Sequence, residues 1–283
     1  MELDTSAGLE GLRAWARFKR RDLKTRVQSA FYRRTISDIE KHCLFVGYPR
    51  SGHTLVASLL DAHPNIIISS GVDPLQYLER GFGHRQLFFM YFRQSQRFAR
   101  TERKSGGYSY VVPNQWHGRY AALKVVGDKS GDLITDRLLH RPGELDALLR
   151  YPAVEHKFLH VIRNPYDNIA TCAARNGMSL AAAADYYFAL CETASAARRK
   201  IGEANWLDVW HEALISDPRQ WLVRLLAFLG QAPSESYLRD CASIVYDTPH
   251  KSRHGAPWTP ALIARVASQA KRFPYLARYG FDD

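Results

Sequence analysis

Leu44-Phe45-Val46-Gly47-Tyr48-Pro49-Arg50-Ser51-Gly52-His53-Thr54-Leu55 is the stretch whose reading decides the fold. An apolar run rich in strand-formers stops at a Pro-Arg-Ser-Gly-His-Thr turn, after which Leu55, Val56, Leu59 and Leu60 recur at helical spacing. Strand, glycine turn and helix start together aim backbone N–H groups and the positive end of a helix dipole at one spot. Ser51, Thr54 and the Arg50 guanidinium add side-chain donors, so a phosphate or sulfate is the expected guest. The Gly-x-x-x-x-Gly-Lys-[Ser/Thr] spacing of a Walker loop is absent. Taken alone, the stretch also reads as an ordinary strand-to-helix turn over a buried strand.

A second stretch, Lys157-Phe158-Leu159-His160-Val161-Ile162-Arg163-Asn164-Pro165-Tyr166-Asp167-Asn168-Ile169-Ala170-Thr171, again runs strand, turn, helix, with Arg163 at the carboxyl end of the strand. The ordered pair resembles the two nucleotide-binding signatures of sulfotransferases that use 3′-phosphoadenosine 5′-phosphosulfate (PAPS). Tyr48 to Thr54 resembles the loop that holds the 5′-phosphosulfate. Arg163-Asn164-Pro165 with Thr171 resembles the strand and helix that hold the 3′-phosphate. The resemblance spans roughly residues 42–258 and is closer to the carbohydrate and bacterial branch than to the cytosolic small-molecule branch. It implies an α/β fold: a single domain with a central, mainly parallel sheet flanked by helices and a P-loop-like phosphosulfate-binding turn. On this reading residues 1–41 form a basic N-terminal helical segment and 42–283 the catalytic domain. The implied reaction is in-line transfer of a sulfonyl group from PAPS to a hydroxyl or amine of a glycan or small-molecule acceptor. The product is 3′-phosphoadenosine 5′-phosphate (PAP), and no metal is implied.

The resemblance also assigns roles. Arg50, where many relatives carry lysine, would take the leaving-group and sulfonate charge; Ser51, Gly52, His53 and Thr54 would cradle the 5′-phosphate; Arg163 and Thr171 would hold the 3′-phosphate. The segment Ile244 to Gly255 resembles the basic loop that closes on the nucleotide, with Lys251, Ser252 and Arg253 in place of Arg-Lys-Gly. Tyr246 there reads either as an adenine contact or as a core tyrosine. Asp73 stands where carbohydrate-type relatives supply a general base, although with Pro74 following it reads equally as a helix cap. His53 is the second candidate base. Lys129, in Gly127-Asp128-Lys129-Ser130, falls in the position of the Glu-Lys-Ser/Thr segment of glycan enzymes and would touch the sulfonate or the acceptor oxygen. Tyr108, Trp116 and His117, in glycine-rich loops, are candidate acceptor contacts. The cations between Arg80 and Lys104 read as solvated surface or as the lining of a channel for an acidic or glycan substrate. Glu212, in a segment resembling Tyr-Glu-Asp-Leu…Asp-Pro, reads as a brace of the fold.

Composition sets the outer bounds. The 283 residues are 46% hydrophobic, enough for a substantial core, and the net charge of +11 suits an anionic partner. No nucleic-acid-binding signature is present, so a nucleic-acid partner is not expected. Cys43, Cys172, Cys191 and Cys241 lie far apart and read as reduced, buried thiols. The absence of a membrane span or signal segment leads to the expectation of a cytoplasmic enzyme. In residues 1–41, Leu12, Trp15, Leu23, Val27 and Phe31 recur near helical spacing among arginines and lysines, giving the expectation of a helix packed on the domain with a solvated basic face. Two rival functions stay open at this point: a nucleotide-dependent kinase, and a non-enzymatic protein binding polyanions through its basic N-terminal helix.

Overall fold

The computed structural model describes residues 5–101, 103–105, 107–150 and 154–283, with side chains described from residue 16 onward except Arg17 and Ser105. The chain opens with α1 (Thr5–Ala30) and α2 (Arg33–Ser37), then enters the sheet at β1 (Lys41–Gly47). Helix α3 (His53–Asp61) leads to β2 (Ile66–Ser69). Next come α4 (Pro74–Glu79), α5 (His84–Arg100) and a small hairpin of β3 (Lys104–Ser105) and β4 (Tyr108–Ser109). After β5 (Val125–Asp128), α6 (Gly131–His140) and α7 (Glu144–Leu149) precede β6 (Glu155–Ile162). The pair α8 (Pro165–Asn176) and α9 (Leu180–Ile201) precedes β7 (Trp206–Trp210), and α10 (His211–Ser216), α11 (Pro218–Phe228), α12 (Glu235–Ala242) and α13 (Pro260–Ala270) follow.

Five strands form one sheet in the order β2-β5-β1-β6-β7, every neighbouring pair parallel. Parallel strands require crossovers, and the crossovers lay helices on both faces; this is why β1 is apolar from Cys43 to Val46, and why the polar His156, Lys157 and His160 of β6 are each hydrogen-bonded. Along β1 the side chains alternate. Cys43 and Phe45 enter the core shared with α3, α11 and α12, while Leu44 and Val46 enter the core shared with α6, α7 and α9. Each such fully buried aliphatic or aromatic side chain contributes about 1.5–3 kcal/mol. From β1 the chain goes first to β2 and β5 on one side, then to β6 and β7 on the other. Strand order therefore reverses beside β1, and its carboxyl edge opens the crevice where such folds bind ligands. Gly47 is in register with Val161, so the turns after β1 and β6 are side by side.

Helix α1 does not use the face its apolar spacing selects. Leu23, Val27 and Phe31 are 67%, 57% and 85% exposed. The helix rests on α5 through polar groups instead: Gln86 Nε2 donates to Asp22 Oδ1 at 2.8 Å and to Thr25 Oγ1 at 3.0 Å. Satisfied hydrogen bonds at the contact have overridden the hydrophobic period. The side chains of Leu12 and Trp15 lie outside the described residues, as does Gly106 of the expected loop.

At the far end of α3, fully buried Asp61 ties three segments together. It accepts from Ile68 N at 2.7 Å, Ser95 Oγ at 2.7 Å, Gly118 N at 3.1 Å and Arg103 Nη1 at 2.6 Å. Arg103 is itself buried and donates to Ser58 Oγ at 2.9 Å. All four cysteines are free and buried. No helix among the described residues is long and apolar enough to cross a membrane.

Candidate functional site

The turn after β1 is anchored from below. Tyr48 Oη is hydrogen-bonded to Tyr275 Oη and to His160 Nε2, both at 2.9 Å, and His160 Nδ1 meets Asp208 Oδ1 at 2.9 Å. This buried chain joins β1, β6, β7 and the C-terminal segment under the turn. Above it, Arg50 has φ 69° and Gly52 φ 100°. A left-handed conformation costs a residue with a side chain roughly 1–2 kcal/mol, so Arg50 is held there by its surroundings. At Gly52 a side chain is excluded outright, because an added Cβ would lie 2.2 Å from His211 Cδ2. The reversed backbone leaves the N–H groups of Gly52, His53 and Thr54 at the head of α3, donating to no described residue. These orphan donors at a helix N-terminus make the turn competent for an anion.

Two residues expected to face that anion point inward. Ser51 is fully buried, and its hydroxyl donates to Tyr48 O at 2.9 Å. His53 fills the space left by the missing side chains of Gly47 and Gly131, with Nε2 3.3 Å from Val46 O and 3.3 Å from Ser51 Oγ. Burial pushes its imidazole down to about 4, and donation to Val46 O fixes the proton on Nε2. Both brace the turn from behind; Thr54 and the backbone remain at its mouth. The Arg50 side chain is exposed and makes no ion pair among the described residues.

The second motif meets the first. Arg163 Nη1 donates to Arg50 O at 3.3 Å and to Thr171 Oγ1 at 3.5 Å, and Nη2 donates to His250 O and to Ser252 Oγ at 3.4 Å. Thr171 and Ser252 hydroxyls are 2.8 Å apart. One guanidinium thus gathers the β1 turn, the start of α8 and the C-terminal loop. Its partners are carbonyls and hydroxyls, no carboxylate forms a salt bridge with it among the described residues, and its buried Nε has no partner. Burial pushes its pKa down, against the opposing charges of Asp167 and Glu212. Glu212 fixes the neighbouring backbone by accepting from Asn164 N at 2.8 Å and from Tyr279 Oη. It is the brace expected of it.

At the end of β5, buried Asp128 accepts from Ser69 Oγ, Val72 N at 2.9 Å and Ser130 N at 2.9 Å, which shapes the turn that presents Lys129. Lys129 Nζ forms no hydrogen bond or ion pair with a described residue; burial lowers its pKa, with Arg50 among the charges acting in the same direction and Asp128 and Asp132 opposing. Asp73 is less available than its sequence position suggests. Its Oδ1 accepts from Gln76 N at 3.2 Å as the cap of α4, and its Oδ2 accepts from Arg137 Nη2 at 2.8 Å and Nε at 3.0 Å. The cap reading describes it, with an arginine clamp added. Asp132, in the first turn of α6, forms no pair among the described residues and acts electrostatically on both Lys129 and His53.

The loops divide. Tyr108 and Tyr246 are 49% and 45% exposed and form an edge-on pair, ring centroids 5.3 Å apart, joining the β3–β4 hairpin to the C-terminal loop. Tyr246 is therefore a surface residue, not a core one. Trp116 and His117 sit elsewhere. Trp116 N donates to Ala62 O at 3.2 Å, and His117 Nε2 accepts from Val112 N at 2.7 Å with Nδ1 3.8 Å from Asp61. Both are at the C-terminal end of α3, about 12 Å along the helix from the turn at 1.5 Å per residue. His117 is a buried strut there, because the segment needs an acceptor for Val112 N. In the C-terminal loop Lys251 is exposed, whereas Arg253 is buried against Asp167 and Asp283 O, so its guanidinium holds the loop onto α8. Sequence reasoning passed over His211, whose ring touches Gly52 and whose buried Nδ1 has no partner. Burial and the charge of Arg163 push it down to about 4. Its signal was positional: it directly follows β7, at the same sheet edge as Arg50 and Arg163.

Comparison with known proteins bears on this arrangement. A sequence model described as "Sulfotransferase family" matches residues 44–235. No curated protein sequence matches the chain. Among solved structures, the sulfotransferase domain from the Synechococcus PCC 7002 olefin synthase is 18% identical, over 82% of this chain and 88% of that one, with a TM-score of 0.45. The sulfotransferase from Alicyclobacillus acidocaldarius is 17% identical, over 85% and 96%, with a TM-score of 0.47. Sulfotransferase STF1 from Mycobacterium tuberculosis H37Rv is 15% identical, over 88% and 81%, with a TM-score of 0.47.

Proposed function

The chain belongs to the sulfotransferase family, and from that premise we propose that it moves a sulfonyl group from PAPS to a hydroxyl or amine of an acceptor at the carboxyl edge of β1, β5 and β6. The observation that carries this reading is the direct contact between the two anion motifs, Arg163 Nη1 to Arg50 O at 3.3 Å, which makes them one site. The residues fit the donor. Free N–H groups at the head of α3 suit a 5′-phosphate, and the Arg163 guanidinium, which forms no salt bridge among the described residues and whose buried Nε has no partner, supplies the charge for a second, 3′-phosphate beside the Thr171 and Ser252 hydroxyls. When bound, PAPS supplies an activated sulfonyl group whose bridging S–O bond breaks as the acceptor oxygen or nitrogen bonds to sulfur, the electron pair leaving with PAP.

Arg50 and Lys129 face the charge that develops on the bridging and sulfonyl oxygens, and fixed cations aimed at that charge lower the barrier. Arg50 cannot give up a proton, so its part is electrostatic. Lys129, with its lowered pKa, can also protonate the leaving oxygen. Asp132 takes the acceptor proton; Asp73 holds Arg137 in place. Tyr246 and Tyr108 flank the adenosine side, and Lys251 adds charge at its rim. The region 42–283 acts as the catalytic domain.

Titration calorimetry with PAP, and with ATP plus magnesium as the kinase control, tests the donor. PAP should bind, and Arg163→Ala should weaken it at least tenfold, about 1.4 kcal/mol. Unchanged affinity in the variant, or preference for magnesium-ATP, would remove the assignment.

A further inference from the structure

Beside the donor site, a cavity of about 640 Å³ lies between α1 and α5. Arg21, Lys24, Arg93, Arg97 and Arg100 line it, and no carboxylate among the described residues does. None of the five forms an ion pair with a described residue: Arg93 Nη1 donates to Gln96 Oε1 at 3.2 Å, and Arg21 Nη1 donates to Tyr77 Oη. Some exposed arginines of this chain do find carboxylates, as Arg141 does with Glu79 and Arg272 with Glu192. A row of cations in a concavity raises the local concentration of anions.

We propose that this groove is the acceptor site and that the acceptor is an acidic oligosaccharide. The inference rests on the sulfonyl-transfer reading above and names its second substrate. Three features select this chemistry. Arg93, Arg97 and Arg100 fall at i, i+4 and i+7 on α5, a row about 10 Å long at 1.5 Å rise per residue, which suits a linear chain carrying repeated charges. Among the cations stand the amides of Gln28, Gln94 and Gln96, which carry donors and acceptors of the kind that hydroxyls require, with Gln94 Nε2 also donating to Ser70 O at 3.1 Å and Gln96 Oε1 accepting from Arg93. The groove is concave, with Phe89 and Met90 in its lining, and its volume falls within the range of ligand pockets; a flat lipid surface would not fill it. Gly71 and Val72 belong to its lining, and Val72 N donates to Asp128 Oδ2 at 2.9 Å while Lys129 N donates to Ser69 O at 3.1 Å. The backbone bordering the groove is therefore hydrogen-bonded to the turn that presents Lys129.

The test is binding of a fluorescent sulfated hexasaccharide prepared from heparin, followed by anisotropy at several salt concentrations. Wild-type protein should bind it, and the Arg97→Gln/Arg100→Gln variant should weaken binding at least tenfold with a shallower salt dependence. The Arg33→Gln/Arg34→Gln variant, which removes equal charge outside the groove, should change it less than twofold. PAP affinity measured by calorimetry should stay within twofold in both variants. Equal losses in the two variants would reduce the effect to bulk charge and overturn the proposal. So would tighter groove-dependent binding of hexaglutamate, or of vesicles containing phosphatidylserine, than of the hexasaccharide. If wild-type protein binds the hexasaccharide through the groove but fails to bind PAP, the donor reading falls and the groove stands as a binding site.

Discussion

At single residues, the decisive question is which carboxylate is free. Asp73 has its two oxygens engaged by Gln76 N and Arg137, while Asp132 acts on Lys129 with no partner of its own among the described residues. Asp132→Asn should therefore lower turnover at least a hundredfold with PAP affinity within twofold. Asp73→Asn should lower turnover less than tenfold, and thermal stability should fall as the Arg137 clamp loosens. Steady-state kinetics with calorimetry on both variants checks this; the reverse ranking would restore Asp73 as the base. Sequence legibility at this scale followed backbone roles more closely than side-chain roles. Gly52 was found because a turn of this kind needs a residue without a side chain. Ser51, His53 and Arg253 are assigned to the ligand by motif position, yet burial turns each toward the protein. Nothing in one chain's order tells whether a polar side chain at a turn faces in or out; that is settled by which neighbours leave space, here Gly47 and Gly131.

Among the elements, β1 was legible from its apolar run Cys43 to Val46, α3 from Leu55, Val56, Leu59 and Leu60 at helical spacing, and β6 from Phe158, Leu159, Val161 and Ile162 leading into the Arg163 turn. Helix α1 was legible as a helix but not in orientation, since its contact with α5 is made by Asp22, Thr25 and Gln86. Trp116 and His117 were legible as loop residues but not in place: Asp61 collects the segment containing them at the wrong end of α3 for the turn. That collection point should be costly to disturb. Arg103 and Asp61 are 1% and 0% exposed in their side chains, so Arg103→Met leaves a buried carboxylate without its cation. The expected loss is about 3–5 kcal/mol of stability, read by chemical denaturation. A loss below about 1 kcal/mol, the size of a surface pair, would show that water reaches the site.

Over the whole molecule, the sheet and the ordered motifs were readable because both turns end strands; the cations of α5 were readable as surface or channel lining, but not their pairing with α1 across a cavity, since the two helices are more than fifty residues apart. Buried neutral histidines give the fold an acid limit. His42, His53, His63 and His211 are all pushed below the usual 6.5, with burial the first cause in each. Where the folded value is lower, the unfolded chain binds more protons, so stability is complete above 6.5 and is lost as pH falls toward about 4. His53 alone accounts for about 2 kcal/mol at pH 5. Urea midpoints should drop between pH 7.5 and pH 5, and equal midpoints would contradict the buried neutral rings. The strands carry one more consequence. Arg50 and Arg163 cap neighbouring strands whose spacing, about 4.8 Å, is set by backbone hydrogen bonds and not by adjustable side chains. On the donor reading proposed above, the sheet would work as a fixed-gauge caliper: a molecule charged at both ends at the right span would close both jaws, the second at high effective concentration. One charged at a single end would be held by half of the instrument.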